Sequence, residues 1–116
     1  MSDNWKDALT DKLCEALLTI QTREELYDFL EDIATISELK AWSQRLEVAR
    51  LLNQSKTYPM IAQATGASTA TISRVKKCLD YGTGGYGIVL KRMGEDPAED
   101  EDASEKPKAA KRSARG

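Results

Sequence analysis

Between residues 57 and 79 the chain reads TYPMIAQATGASTATISRVKKCL, and the placing of Ala62, Gly66 and Ile72 within it leaves few local folds open. The pattern suits two short helices that cross closely around one tight turn. Ala62 is small enough for the second helix to approach, Gly66 can take positive φ just past the first, and Ile72 faces inward from the second. Ile61 and Val75 complete an apolar patch between them. Thr57 is a natural N-cap with Pro59 behind it in the first turn, and Ser68 caps the second helix. Thr69, Ala70, Thr71, Ser73 and Arg74 are then left facing out, followed by Lys76 and Lys77. Short and uncharged at its tip, then basic, this surface suits a helix that enters the major groove of double-stranded DNA. The plainer reading is an αα-hairpin with a glycine stop and a solvated basic face. Spacing, both caps and the order of charges together favour the helix-turn-helix.

A chain of 116 residues with an apolar fraction of 41% has room for a single core. We expect one all-α domain over residues 1–93 and a charged tail over 94–116. No apolar run is long enough to span a membrane, and the acids of MSDNWKDALTDKL do not suit a signal peptide, so a cytoplasmic location is expected. Cys14 and Cys78 stand apart with no histidine in the chain, which argues for reduced structural thiols and against a zinc site. Without histidine the commonest general base is missing, and nothing else suggests an enzyme or a cofactor.

The net charge of −2 hides a strong division. Residues 1–38 hold three Lys/Arg against ten Asp/Glu, residues 39–93 nine against two, and residues 94–116 five against seven. The basic segment contains the helix-turn-helix, and a local positive face is enough to displace counterions from phosphates.

Before that segment, Trp5, Leu9, Leu13, Leu17 and Ile20 recur at helical spacing, predicting a helix from about Asn4, capped by Asp3 or Asn4, to Ile20. The stripe is most simply core, although so long a stripe in so small a domain also suits burial against a second subunit. Thr22 and Glu25 form a capping box for a helix with Leu26, Phe29, Leu30 and Ile33 inside and Glu24, Asp28, Glu31 and Asp32 in water. The acids read as a solvated face, since no oxygen-rich loop or histidine accompanies them to make a metal or acid–base site. Ser37, with Glu38 and Lys40, opens a third helix running to about Asn53. Its stripe is Leu39, Trp42, Leu46, Ala49 and Leu52, widened by Val48 and Leu51, and Arg45, Arg50 and Lys56 are available to phosphate, although a solvated surface role suits them equally. Past Leu79, Gly82-x-Gly84-x-x-Gly87 matches the letters of a dinucleotide-binding fingerprint. It lacks the preceding strand and reads as a helix stop and hinged loop, after which residues 88–90 pack back on the core. From Gly94 no large apolar residue follows, which predicts a disordered tail, acidic first and basic last.

Residues 38–80, above all GASTATISR at 66–74, resemble the tryptophan repressor superfamily. Residues 5–93, with the YGTGGYG loop, look like its YerC/YecD-type branch. The resemblance implies an interlocked homodimer whose N-terminal helices wrap each other. Its reading helices would enter successive major grooves about 34 Å apart, a docking geometry of which the tryptophan repressor is itself an example. By the same resemblance Thr69, Ala70, Thr71 and Ser73 face DNA, Asp80 stands where the repressor has a phosphate-contacting lysine, and Pro59 where it has a base-contacting arginine. Arg74 matches one of the two arginines that enclose the tryptophan corepressor, but the other position is Gln44. Val75 replaces a glycine that leaves room for the ligand, and Cys78 replaces a hydroxyl residue beside it. No tryptophan binding is therefore expected, and any other effector is unknown. The expected mechanism has residues 68–74 in the groove, Thr69, Thr71 and Arg74 on base edges, and Thr57, Lys76 and Lys77 on phosphates. The alternative is a dimeric helical protein–protein interaction module, with a nucleotide binder built on the glycine loop well behind.

Overall fold

A computed structural model describes residues 4–95 and Pro97, and among them the all-α expectation holds: there are six helices and no strand. These are α1 (Ala8–Leu18), α2 (Arg23–Ile33), α3 (Ile36–Asn53), α4 (Tyr58–Thr65), α5 (Thr69–Tyr81) and α6 (Gly85–Arg92). The chain divides into two compact units, one running to Leu39 and the other from Lys40 onward.

In the first unit α1 begins later than its apolar stripe suggests. The Asp7 carboxylate accepts the Thr10 N–H at 2.9 Å while the Thr10 hydroxyl accepts the Asp7 N–H at 2.8 Å. This reciprocal box starts the helix at Ala8 and leaves Trp5 outside it. In α2 the Thr22 hydroxyl caps Glu25 N as expected, at 3.0 Å, but the Glu25 carboxylate reaches past Thr22 to the N–H of Gln21, at 2.9 Å. The start of α3 also differs, because Thr35 and Glu38 cap each other, with Thr35 N donating to Glu38 Oε1 at 2.8 Å and Glu38 N to Thr35 Oγ1 at 3.1 Å. Ser37 thus lies inside the first turn. Neither α1 nor α2 buries a residue.

The second unit holds the core: Val48 and Ala49 of α3, Ile61 of α4, Ala67 of the turn, Ile72 and Val75 of α5, and Leu90 of α6. Burying each of the larger aliphatic side chains is worth about 1.5–3 kcal/mol. Leu46, Leu51, Leu52, Tyr58, Ala62, Leu79 and Tyr86 pack around them. The deepest residues of α3 are Val48 and Ala49, whereas Trp42, expected on the inner stripe, is about half exposed. After α3 the chain turns through a Schellman motif, with Ser55 N donating to Leu52 O and Lys56 N to Leu51 O. Ser55 holds the left-handed position, φ 63°, that glycine usually fills.

Of residues 88–90 only Leu90 packs back on the core, and it does so as part of a helix, while Ile88 and Val89 stay about half exposed. Gly82 ends α5 where a Cβ would lie 2.5 Å from the Cys78 carbonyl oxygen, so only a bare residue fits. α6 closes with Gly94 N on Lys91 O and Glu95 N on Leu90 O. The Asn53 amide also donates to the Glu95 carbonyl at 3.2 Å, and Arg50 pairs with the Glu95 carboxylate at 3.5 Å. Gly94 and Glu95 therefore finish α6. The rest of the expected tail lies outside the described residues, apart from Pro97. Among the described residues no helix is long and apolar enough to cross a membrane.

Candidate nucleic-acid interface

The helix-turn-helix is α4, residues 66–68 and α5, and its sequence accounts for its geometry. Thr57 Oγ1 accepts the Met60 N–H at 3.3 Å and Pro59 sits in the first turn of α4. Gly66, at φ 77°, ends that helix with its N–H on the Ala62 carbonyl. Ser68 Oγ accepts the Thr71 N–H at 3.1 Å and opens α5. Ile61, Ile72 and Val75 are buried between the two helices, which fixes the side of α5 that faces out.

On that outer side Thr69, Ala70, Ser73, Arg74, Lys76 and Lys77 are all exposed, as are Thr57 and Ser68. Thr71 is the exception: it is partly buried, and its hydroxyl lies 3.2 Å from Ser68 Oγ. Helical spacing puts Thr69, Ser73, Lys76 and Asp80 in one line and Ala70, Arg74, Lys77 and Tyr81 in the next. Lys76 is engaged within its own line, its ammonium 3.1–3.2 Å from the two Asp80 carboxylate oxygens. Among the described residues no carboxylate pairs with Arg74 or Lys77. Among the described residues the uncompensated positive charge of α5 is thus carried by these two residues on one line.

The arginines and lysine proposed as further phosphate contacts fare differently. Arg50 forks onto Glu47, at 2.7 and 3.0 Å, and also reaches Glu95, so it is a structural clamp and not a free cation. The fork pulls the Glu47 carboxyl below its usual range and raises the guanidinium further. Arg45 is partly buried and Lys56 is exposed.

Two residues to which sequence reasoning gives no part in the turn hold it. Thr65 Oγ1 donates to Ile61 O at 2.7 Å and accepts the Ala67 N–H at 3.1 Å, bridging the turn with one side chain. Gln44 of α3 donates its amide to the Thr65 carbonyl at 3.1 Å. Of the positions compared with a corepressor pocket, Arg74 and Cys78 are exposed, Val75 is core and Gln44 is spent on Thr65. The two cysteines are free and exposed. The glycine loop follows a helix, α5, and α6 begins from Gly84, so the strand that a dinucleotide fingerprint needs is not there.

The profile of the Trp repressor protein family matches residues 8–94. Over 89 residues, covering 77% of this chain and 86% of the relative, the sequence is 48% identical to the uncharacterized protein YerC of Bacillus subtilis. The crystal structure of a candidate Trp repressor from Staphylococcus aureus superposes with a TM-score of 0.79 at 44% identity, covering 82% of this chain and 95% of that one. A TrpR-like protein from Eubacterium eligens gives 0.78 at 45%, covering 84% and 99%. The helix-turn-helix lies within the residues that the profile matches, and the chain belongs to the Trp repressor protein family.

Proposed function

We propose that the chain is a sequence-specific DNA-binding transcriptional regulator that works as a homodimer and does not respond to tryptophan. The observation that carries this reading is the outer side of α5, a helix capped by Ser68 whose exposed tip is small and polar and whose next turns carry Arg74 and Lys77, unpaired among the described residues. Thr69 and Arg74 read base edges, flanked by Ala70 and Ser73, while Thr71 contributes mainly by holding the tip. Thr57, Lys77 and, when it leaves Asp80, Lys76 bind phosphates. A second subunit is supported by α1, where Leu9, Leu13 and Leu17 of one stripe stand 81%, 40% and 38% exposed in the single chain, and by Ile33 of α2, 52% exposed. Two copies of α5 would then meet successive grooves, about 34 Å apart.

Selection of bound fragments from genomic DNA tests the reading, and enrichment of a two-fold symmetric site is expected. On that site Arg74→Ala should cost about 1–3 kcal/mol, with little change on random DNA. A wild-type protein that retards no DNA at moderate salt would instead favour the protein–protein module. Calorimetric titration with tryptophan should give no saturable heat.

A further inference from the structure

We infer that Gln44 is a positioning residue for DNA reading, acting through the turn that separates α4 from α5. The inference rests on the proposed DNA contact and names what sets its geometry.

The turn has only residues 66–68 in which to fix the angle between the two helices. Gly66 has the backbone freedom that the turn needs, and the same freedom leaves it unable to hold the angle alone. Two side chains supply the restraint. Thr65 ties the last turn of α4 to Ala67 through its hydroxyl, and Ala67 is buried, so one end of the turn is anchored in the core. The second restraint falls on the Thr65 carbonyl, which lies in the last turn of α4, where carbonyls lack helical partners. Gln44 donates to it from α3 at 3.1 Å, in a partly buried setting. A Cβ built on Gly66 would lie 3.9 Å from the same amide nitrogen, so that amide sits over the turn itself. Val48 and Ala49, farther along α3, form the floor of the core against which α4 and α5 pack. The α3 helix therefore grips the reading element twice, through the core and through the turn, and the second grip is directional where apolar packing is not. Every group in this restraint belongs to the chain, so the reading helix is set without an added small molecule.

The test compares wild-type protein with Gln44→Met, which keeps most of the side-chain volume and removes the donor, and with Gln44→Lys, which restores a donor. Two quantities are read without added small molecules: the ratio of affinities for the selected site and for random DNA, and hydrogen exchange at the Ala67 and Ser68 amides. Gln44→Met should lower the ratio about fivefold, the worth of one ordinary hydrogen bond, and speed exchange at the turn, while the melting temperature falls by only several degrees and the protein stays folded at the temperature of the assay. Gln44→Lys should recover both. Its extra charge strengthens binding to either DNA alike, so the ratio isolates the positioning effect. A Gln44→Met protein with wild-type discrimination, or with wild-type exchange at the turn, overturns the role of Gln44. So does a Gln44→Lys protein that fails like Gln44→Met, because the loss would then follow packing and not the donor. Failure of the DNA reading itself would show separately, as a wild-type protein that selects no site.

Discussion

Asp80 sits on the same line of α5 as Lys76 and holds its ammonium on both carboxylate oxygens. The pair is exposed and contributes little to stability, so its consequence is for binding. Asp80→Asn removes a charge that repels phosphate and frees one that attracts it. The expected outcome is tighter binding to any DNA, with the dependence on log salt steeper by about one unit, measured by retardation across a salt series. Lys77→Ala should move the same slope by about one unit the other way. Arg74, Lys77 and Asp80 were each legible as surface residues of a helix, because caps and spacing fix the side they occupy. The engagement of Gln44 with Thr65 was not, since the residues are 21 positions apart and periodicity carries no record of a polar contact across two helices. Nor could Arg50 be told from a free cation until Glu47 and Glu95 were seen to share it.

Helix ends decide how well the elements could be read. α4 and α5 were placed closely because Thr57, Gly66 and Ser68 act within a few residues of themselves. The starts of α1 and α3 differ from those that the sequence pattern predicts, because competing signals sit close by. The apolar Trp5 drew the first helix forward past the Asp7 box, and Ser37 masked the Thr35 box. α6 was read only as an apolar segment because Gly85 and Gly87 disfavour a helix, and its closing motif at Gly94 and Glu95 stood where the composition announced a tail. The same ends supply stability predictions. Ser55 bears the cost of a left-handed backbone, so Ser55→Gly should stabilise the fold by about 0.5–1 kcal/mol in urea denaturation. Gly82→Ala should cost about 1–3 kcal/mol, because its Cβ meets rigid backbone. The Asp7 carboxyl is held below its ordinary value of 3.8 by the Thr10 amide, and the Glu38 carboxyl below 4.5 by the Thr35 amide. Such carboxylates add stability that is whole above those values and is lost as pH falls through the lower values of the folded chain. With no histidine to titrate, the melting temperature should be flat between about pH 6 and 8 and fall below about pH 4.5.

For the molecule as a whole, the division of charge was visible from residue types alone, and it places the basic segment around the helix-turn-helix. What covers the apolar faces of α1 and α2 was legible only as a surplus of stripe over core. The structure sharpens that surplus to named residues, since Leu9, Leu13 and Leu17 of the stripe stand open on a helix that buries nothing. If the chain is the proposed homodimer, Leu9→Asp with Leu13→Asp should halve the mass seen in sedimentation equilibrium and abolish binding to a two-fold symmetric site, since one reading helix alone binds too weakly. The glycine loop has a consequence of another kind. α6 starts at Gly84 with no side-chain cap and buries only Leu90, while its far end is fastened by Arg50 and Asn53 through Glu95. Its glycine end is then the first to fray, and Tyr81, 83% exposed, lies just before it. To a digestive protease that prefers aromatic residues, the bond after Tyr81 is the weak seam of the second unit, and a nick there would leave α4 and α5 joined while cutting α6 from the reading helix.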